Sequence, residues 1–159
     1  MRRIPIIALL PALLFVISGC GSSLNATEYL SLPFTAVAKV TIESSEYVVS
    51  ISKGGANLVS VTVESPEALS GMTAILGEDS ALEYRGSRIE HAFPRTVAEL
   101  VYDAFCDANR IEAYSDGDVE VVRFASARGS GSVRIDGFSA VPMSLESEDV
   151  NIEFTEFNR

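Results

Sequence analysis

From Phe34 onward, apolar and polar residues alternate along most of the chain. A period of two is what a strand with one buried face requires. Phe34, Ala36, Ala38, Val40 and Ile42 fall on one side, and Thr35, Lys39, Thr41 and Glu43 on the other. Beyond a Ser44-Ser45 turn, Tyr47, Val49 and Ile51 alternate with Val48, Ser50 and Ser52. Gly54-Gly55 supplies the positive φ angles of a tight hairpin, and Val59, Val61 and Val63 continue the series. Three consecutive antiparallel strands account for this pattern. Ser65-Pro66-Glu67 then reads as a helix start that Gly71 stops within a turn or two. Short strand-like runs follow at Met72 to Leu76, Ala81 to Arg85 and Arg88 to Phe93.

One segment breaks the alternation. Val97, Leu100, Val101, Ala104, Phe105 and Ala108 form a single apolar stripe at helical spacing. Thr96 with Glu99 is a candidate capping box, Asn109 a candidate C-cap, and Glu99, Asp103 and Asp107 recur on what should be the exposed face. The pattern predicts a helix over about residues 95–109. Strands resume at Ile111 to Tyr114 and Val119 to Phe124, across the turn Ser115-Asp116-Gly117-Asp118. After a further turn at Gly129 to Gly131 come Val133 and Ile135, then Val141, Met143 and Leu145, then Val150, Ile152 and Phe154. The predicted class is mainly β (α+β): about nine to eleven short antiparallel strands in a curved sheet packed on one helix.

The N-terminus carries a different signal. Met1-Arg2-Arg3 precedes an apolar run from Ile4 to Ile17, and Ser18-Gly19-Cys20 follows. The run is short for a membrane span and matches the apolar region of a signal peptide, with Pro5 and Pro11 weakening it as a permanent helix. Ile17-Ser18-Gly19-Cys20 resembles the lipobox of bacterial lipoproteins. That resemblance implies residues 1–19 as signal peptide, a diacylglyceryl (palmitate-type) group on Cys20, and Cys20 as the mature N-terminus. Two acyl chains are enough to hold a protein on a membrane without a spanning helix. Residues 20–33 then read as the lipidated N-terminus and a short polar tether, and residues 34–159 as one domain. The expected location is the extracytoplasmic face of the cell membrane.

Charge and residue inventory narrow the chemistry. Twelve basic against 22 acidic residues give −10, and removing Arg2 and Arg3 with the signal takes this to −12. Such a chain repels phosphate, so nucleic acid is not an expected partner. His91, the only histidine, alternates with Ile89 and Phe93, a core or edge pattern rather than a catalytic one. Cys106 stands beside Asp107 in the C-terminal half of the predicted helix; both raise a thiol pKa, which suits packing and not nucleophilic attack. Acidic pairs such as Glu78-Asp79 and Glu148-Asp149 fall in turns without the ligand spacing of a calcium loop. No glycine-rich phosphate loop is present. The expectation is a protein with no catalytic residues, no metal and no cofactor apart from the covalent lipid on Cys20.

The order of elements completes the reading. A lipobox, a tether, strands opening with Phe34-Thr35-Ala36, the segment Ser65-Pro66-Glu67-Ala68-Leu69-Ser70-Gly71, one helix and further strands follow one another. With Gly137 to Pro142 near the end, this is similar to small Gram-positive, especially clostridial, lipoproteins with a lipoprotein-carrier-like (LolA/LolB-like) domain, germination lipoproteins among them. The resemblance implies a half-barrel curled around a helix, with a concave apolar face that holds acyl chains. Phe34, Ala36, Ala38, Met72, Leu82, Ile89 and Phe93 are the residues expected on that face. The expected partners are the membrane, through the lipid anchor, and a lipid or apolar ligand; the alternative is an envelope protein docking on a module with a filled core.

Overall fold

The computed structural model describes residues 32–55, 57–77, 81–84, 87–88, 93–107 and 109–159. The strands are β1 (Phe34–Ile42), β2 (Ser45–Lys53), β3 (Val59–Ser65), β4 (Thr73–Leu76), β5 (Ala81–Tyr84) and β6 (Ser87–Arg88). After helix α1 (Phe93–Tyr102) come β7 (Asn109–Asp116), β8 (Val119–Ala125), β9 (Ser130–Asp136), β10 (Pro142–Glu146) and β11 (Val150–Asn158). They form one curved, open antiparallel sheet in the order β6-β5-β4-β3-β2-β1-β11-β10-β9-β8-β7.

The topology is a pair of meanders zipped together where β1 meets β11, with Val40 opposite Ile152 and Ile42 opposite Val150. Consequently β6 and β7 lie at opposite edges of the sheet, and α1 belongs to the connection between them. A chain linking the two edges must cross the sheet, and an amphipathic helix does so while covering the inner face. Val97, Ala98, Val101 and Ala104 are buried there in one apolar cluster with Ala38, Val49, Val61, Val63 and Ala74, the helix body packing on β3 and β4. The alternation read from the sequence holds: Ala38, Val40, Val49, Val59, Val61 and Val63 are fully buried, and Thr35, Lys39, Ser52 and Glu64 lie exposed on the other face.

The helix differs from its predicted form at both ends. It begins at Phe93, so Phe93 belongs to a helical turn and not to a strand. Pro94 occupies the first turn, where its missing N–H costs nothing. Thr96 is therefore internal, and Glu99 pairs with Arg95 at 2.9 Å instead of closing a capping box. At the other end the backbone widens into a π-helical turn, Asp103–Asp107, and Asn109 opens β7 rather than capping the helix. Asp103, at the start of this turn, is buried and not exposed as expected. Gly131, expected in a turn, lies inside β9 opposite Phe124.

Candidate functional site

The inner face of the sheet is the surface that sequence and topology single out. Phe34, Ala36, Ala38 and Met72 all point into it and are buried in one cluster with the helix. Phe93 packs on the rim of that cluster, its ring stacked on Tyr47 at a centroid distance of 3.8 Å. Ile89, His91 and Cys20 lie outside the described residues, as does the side chain of Leu82. The proposed segments 1–19 and 20–31 are likewise outside them.

The helix covers this face unevenly. Its body packs on β3 and β4, and its π-helical end reaches β8 and β9. At that end four phenylalanines meet. Phe34 lies 5.0 Å from Phe105 edge-on and 4.7 Å from Phe157 in a stacked arrangement. Phe154 joins at 6.3 Å from Phe105 and 5.7 Å from Phe157. Phe154 and Phe157 are three residues apart, so a regular strand would place them on opposite faces. The β1–β11 register shifts between Val37 and Ala38, which skips Thr155 and returns both rings to the inside. Phe154 and Phe157 remain partly exposed. The sequence reading missed this cluster because a bulge is a property of two paired strands.

Charged groups are drawn in beside it. Lys53, on the inner side of β2 opposite Phe34, is buried, and its Nζ donates to the Leu32 carbonyl at 3.2 Å. Burial lowers its pKa, and the neighbouring Cys106 partly offsets this. Cys106 in turn has a raised pKa: burial is the main cause, Lys53 opposes it, and Asp107 and Asp103 add to it. Arg110, paired with inward-facing Phe124, has its pKa lowered by burial, and its Nε makes no hydrogen bond. Asp103 accepts from Ser126 Oγ at 2.8 Å and from the Arg128 guanidinium, whose Nε lies at 2.8 Å. The Arg128 guanidinium also stands 5.3 Å from the Tyr102 ring centroid, a cation–π distance. This clasp joins the end of the helix to the β8–β9 turn.

Three clefts open on the outer face instead. One of about 230 Å³ is lined by Thr35, Ser50, Ser52, Ser60 and Thr62. A second, of about 400 Å³, lies by Arg123, Ser132 and Glu146, and a third, of about 320 Å³, by Lys39, Thr41 and Glu153. Of the expected pocket residues only Ala36 borders one of them. Among the described residues no group of three or more His, Cys, Asp or Glu side chains is placed to hold a metal ion. Nor is any described helix long and apolar enough to cross a membrane.

Fold and site together define a mainly-β half-barrel, an unclosed curved sheet holding a single helix against its inner face. The protein resembles an uncharacterized conserved protein from Thermus thermophilus, with a TM-score of 0.51 at 16% identity over 87% of this chain and 85% of that one. It also matches a LolA superfamily protein from Nitrosomonas europaea, with a TM-score of 0.49 at 11% identity over 86% and 91% of the two chains. The likeness to the Thermus protein is one of fold alone. No family model and no curated protein matches the sequence.

Proposed function

We propose that this protein is a membrane-anchored extracytoplasmic lipoprotein whose half-barrel binds a lipid or another apolar molecule without catalysing a reaction. One observation carries the binding reading: a single short helix must cover the inner face of an eleven-stranded sheet, and its body packs chiefly on β3 and β4, at one side of that sheet. Beyond it, the partly exposed Phe154 and Phe157 offer aromatic surface to an acyl chain. Burying apolar surface of this kind contributes about 25 cal/mol per Å². The anchor rests on the lipobox-like Ile17-Ser18-Gly19-Cys20, with Cys20 carrying the lipid.

The test is lipid extraction and mass spectrometry of the purified full-length protein, with uptake of a fluorescent fatty acid in parallel. Bound lipid and saturable uptake support the reading; absence of both overturns it. Cys20→Ala should release the protein from the membrane fraction, and its retention there would contradict the anchor. The second reading, docking of an envelope protein on a filled core, is favoured by the burial of Phe34, Ala36 and Ala38 in the core cluster. It predicts a crosslinked partner whose recovery is unaffected by fatty acid.

A further inference from the structure

Six large apolar side chains are exposed among the described residues: Leu32, Leu58, Ile111, Tyr114, Phe138 and Met143. Three of them lie within strands. The other three, Leu32, Leu58 and Phe138, lie in connections, and a continuous set of contacts places those connections along one rim. Leu32 is bound through its carbonyl to Lys53, whose strand runs into the 54–58 turn, closed by the Gly54 N–H donating to the Leu58 carbonyl at 2.8 Å. Thr35, three residues after Leu32, pairs with Asn158 at the end of β11. The next residue, Arg159, donates to the Ala140 carbonyl at 3.2 Å, in the turn that displays Phe138.

That turn is rigidly built. The Asp136 carboxylate accepts from the Phe138 N–H, the Ser139 N–H and the Ser139 hydroxyl, and the Gly137 N–H donates to the Asp118 carbonyl. The result is a phenylalanine 84% exposed on a fixed support. Leu58 is likewise supported, lying over Gly77 so closely that a Cβ there would stand 2.8 Å from its Cδ1. Isolated exposed apolar residues need no explanation, but three ordered tips on one rim are a surface.

The first 31 residues, with their apolar run and Cys20, join the domain at this same rim. We infer that the rim bearing Leu32, Leu58 and Phe138 is a lipid-contacting surface, seated on the bilayer to which the N-terminus is tethered. This rests on the anchored reading above and adds an orientation to it. Apolar side chains at such a seat enter the headgroup and acyl boundary by about 5–10 Å. The headgroups that fit are net neutral, because Asp118 and Asp136 flank the Phe138 turn and a chain that has shed Arg2 and Arg3 with its signal, at net charge −12, is repelled by anionic lipid.

The chain contains no tryptophan, so single replacements report on single positions. Phe138→Trp, Leu58→Trp and, as a control within β7, Ile111→Trp are made in the full-length lipid-bearing protein. Each is reconstituted on phosphatidylcholine vesicles with or without brominated acyl chains. The two rim positions should lose about half of their emission to bromine, as a boundary depth of that order implies, and Ile111→Trp should lose none. Replacing part of the phosphatidylcholine with phosphatidylglycerol should reduce the loss; an unchanged or greater loss would overturn the neutral-headgroup assignment. Protein that sediments with the vesicles but keeps full emission at the rim overturns the lipid contact and leaves the anchor standing. Protein that does not sediment overturns both.

Discussion

The Arg128 guanidinium grips the carboxylate of Asp103 with two of its nitrogens, and the two residues are 25 positions apart in sequence. Asp103 is 4% exposed, whereas the Arg128 side chain is 42% exposed, so the pair sits at the boundary of the core. Removing the partner of a buried charge costs about 3–5 kcal/mol when both groups are fully buried. Water reaches Arg128, so Arg128→Ala should cost less, about 2 kcal/mol. Asp103→Ala leaves an exposed cation that Asp107 still faces and a Ser126 hydroxyl that still reaches the Gly129 carbonyl, and should cost less again, about 1 kcal/mol. Urea unfolding of the two variants checks the order; equal losses would contradict it.

Ala38 is fully buried in the apolar cluster that also holds Val97, Ala98 and Val101 of the helix. With that region filled, Ala38→Leu should destabilise by about 1–3 kcal/mol through overpacking. Thermal unfolding unchanged or raised by Ala38→Leu would show room on the inner face that the packing denies.

Gly131 is confined by two neighbours. A Cβ on it would collide with the Glu146 carbonyl oxygen and lie 2.8 Å from Phe124 Cζ. The carbonyl is main chain and cannot yield cheaply, so Gly131→Ala should destabilise by about 3 kcal/mol. Gly129, with nothing within 4 Å of its Cβ position, is the control, and Gly129→Ala should change the unfolding midpoint little.

Hydrogen bonds from the Ser139 N–H, the Ser139 hydroxyl and the Phe138 N–H hold the Asp136 pKa below its ordinary 3.8. A depressed carboxylate contributes stability that is complete above the unfolded pKa and disappears as pH falls through the lower folded value. Asp136→Asn keeps the acceptor oxygen but not the titration, so the slope of stability against pH just below 3.8 should flatten. Urea titrations across that acid range provide the measurement, and an unaltered slope would count against this role.

Cys106 should be a sluggish nucleophile. Burial chiefly, with Asp107 and Asp103, raises its pKa above 9.0 despite Lys53. Site-resolved mass spectrometry after iodoacetamide at pH 8 should show slower alkylation of Cys106 in the folded protein than in urea. Equal rates would mean the thiolate is available in the fold.

The period-two alternation already assigned the inner face: Phe34, Ala36, Ala38, Val49 and Val61 were legible because a strand's faces depend only on neighbours two residues apart. The stripe from Val97 to Phe105 likewise announced a helix. Its ends were harder to place, since the helix starts earlier, at Phe93 with Pro94 in its first turn, and widens into a π-helical turn from Asp103. That carboxylate looked solvated in sequence and is buried because Arg128 and Ser126, on a distant turn, receive it.

Sequence alone thus determined the strand-rich class and the inward residues of β1, β2 and β3, which are local in the chain. Tertiary structure decided the rest. The pairing of β1 with β11 sets the bulge that brings Phe154 and Phe157 to one face. It also gathers Leu32, Leu58 and Phe138 on one rim. The edge-to-edge strand order sends the single helix across the sheet. Each depends on register between segments far apart in sequence, and no local pattern of residues encodes that register.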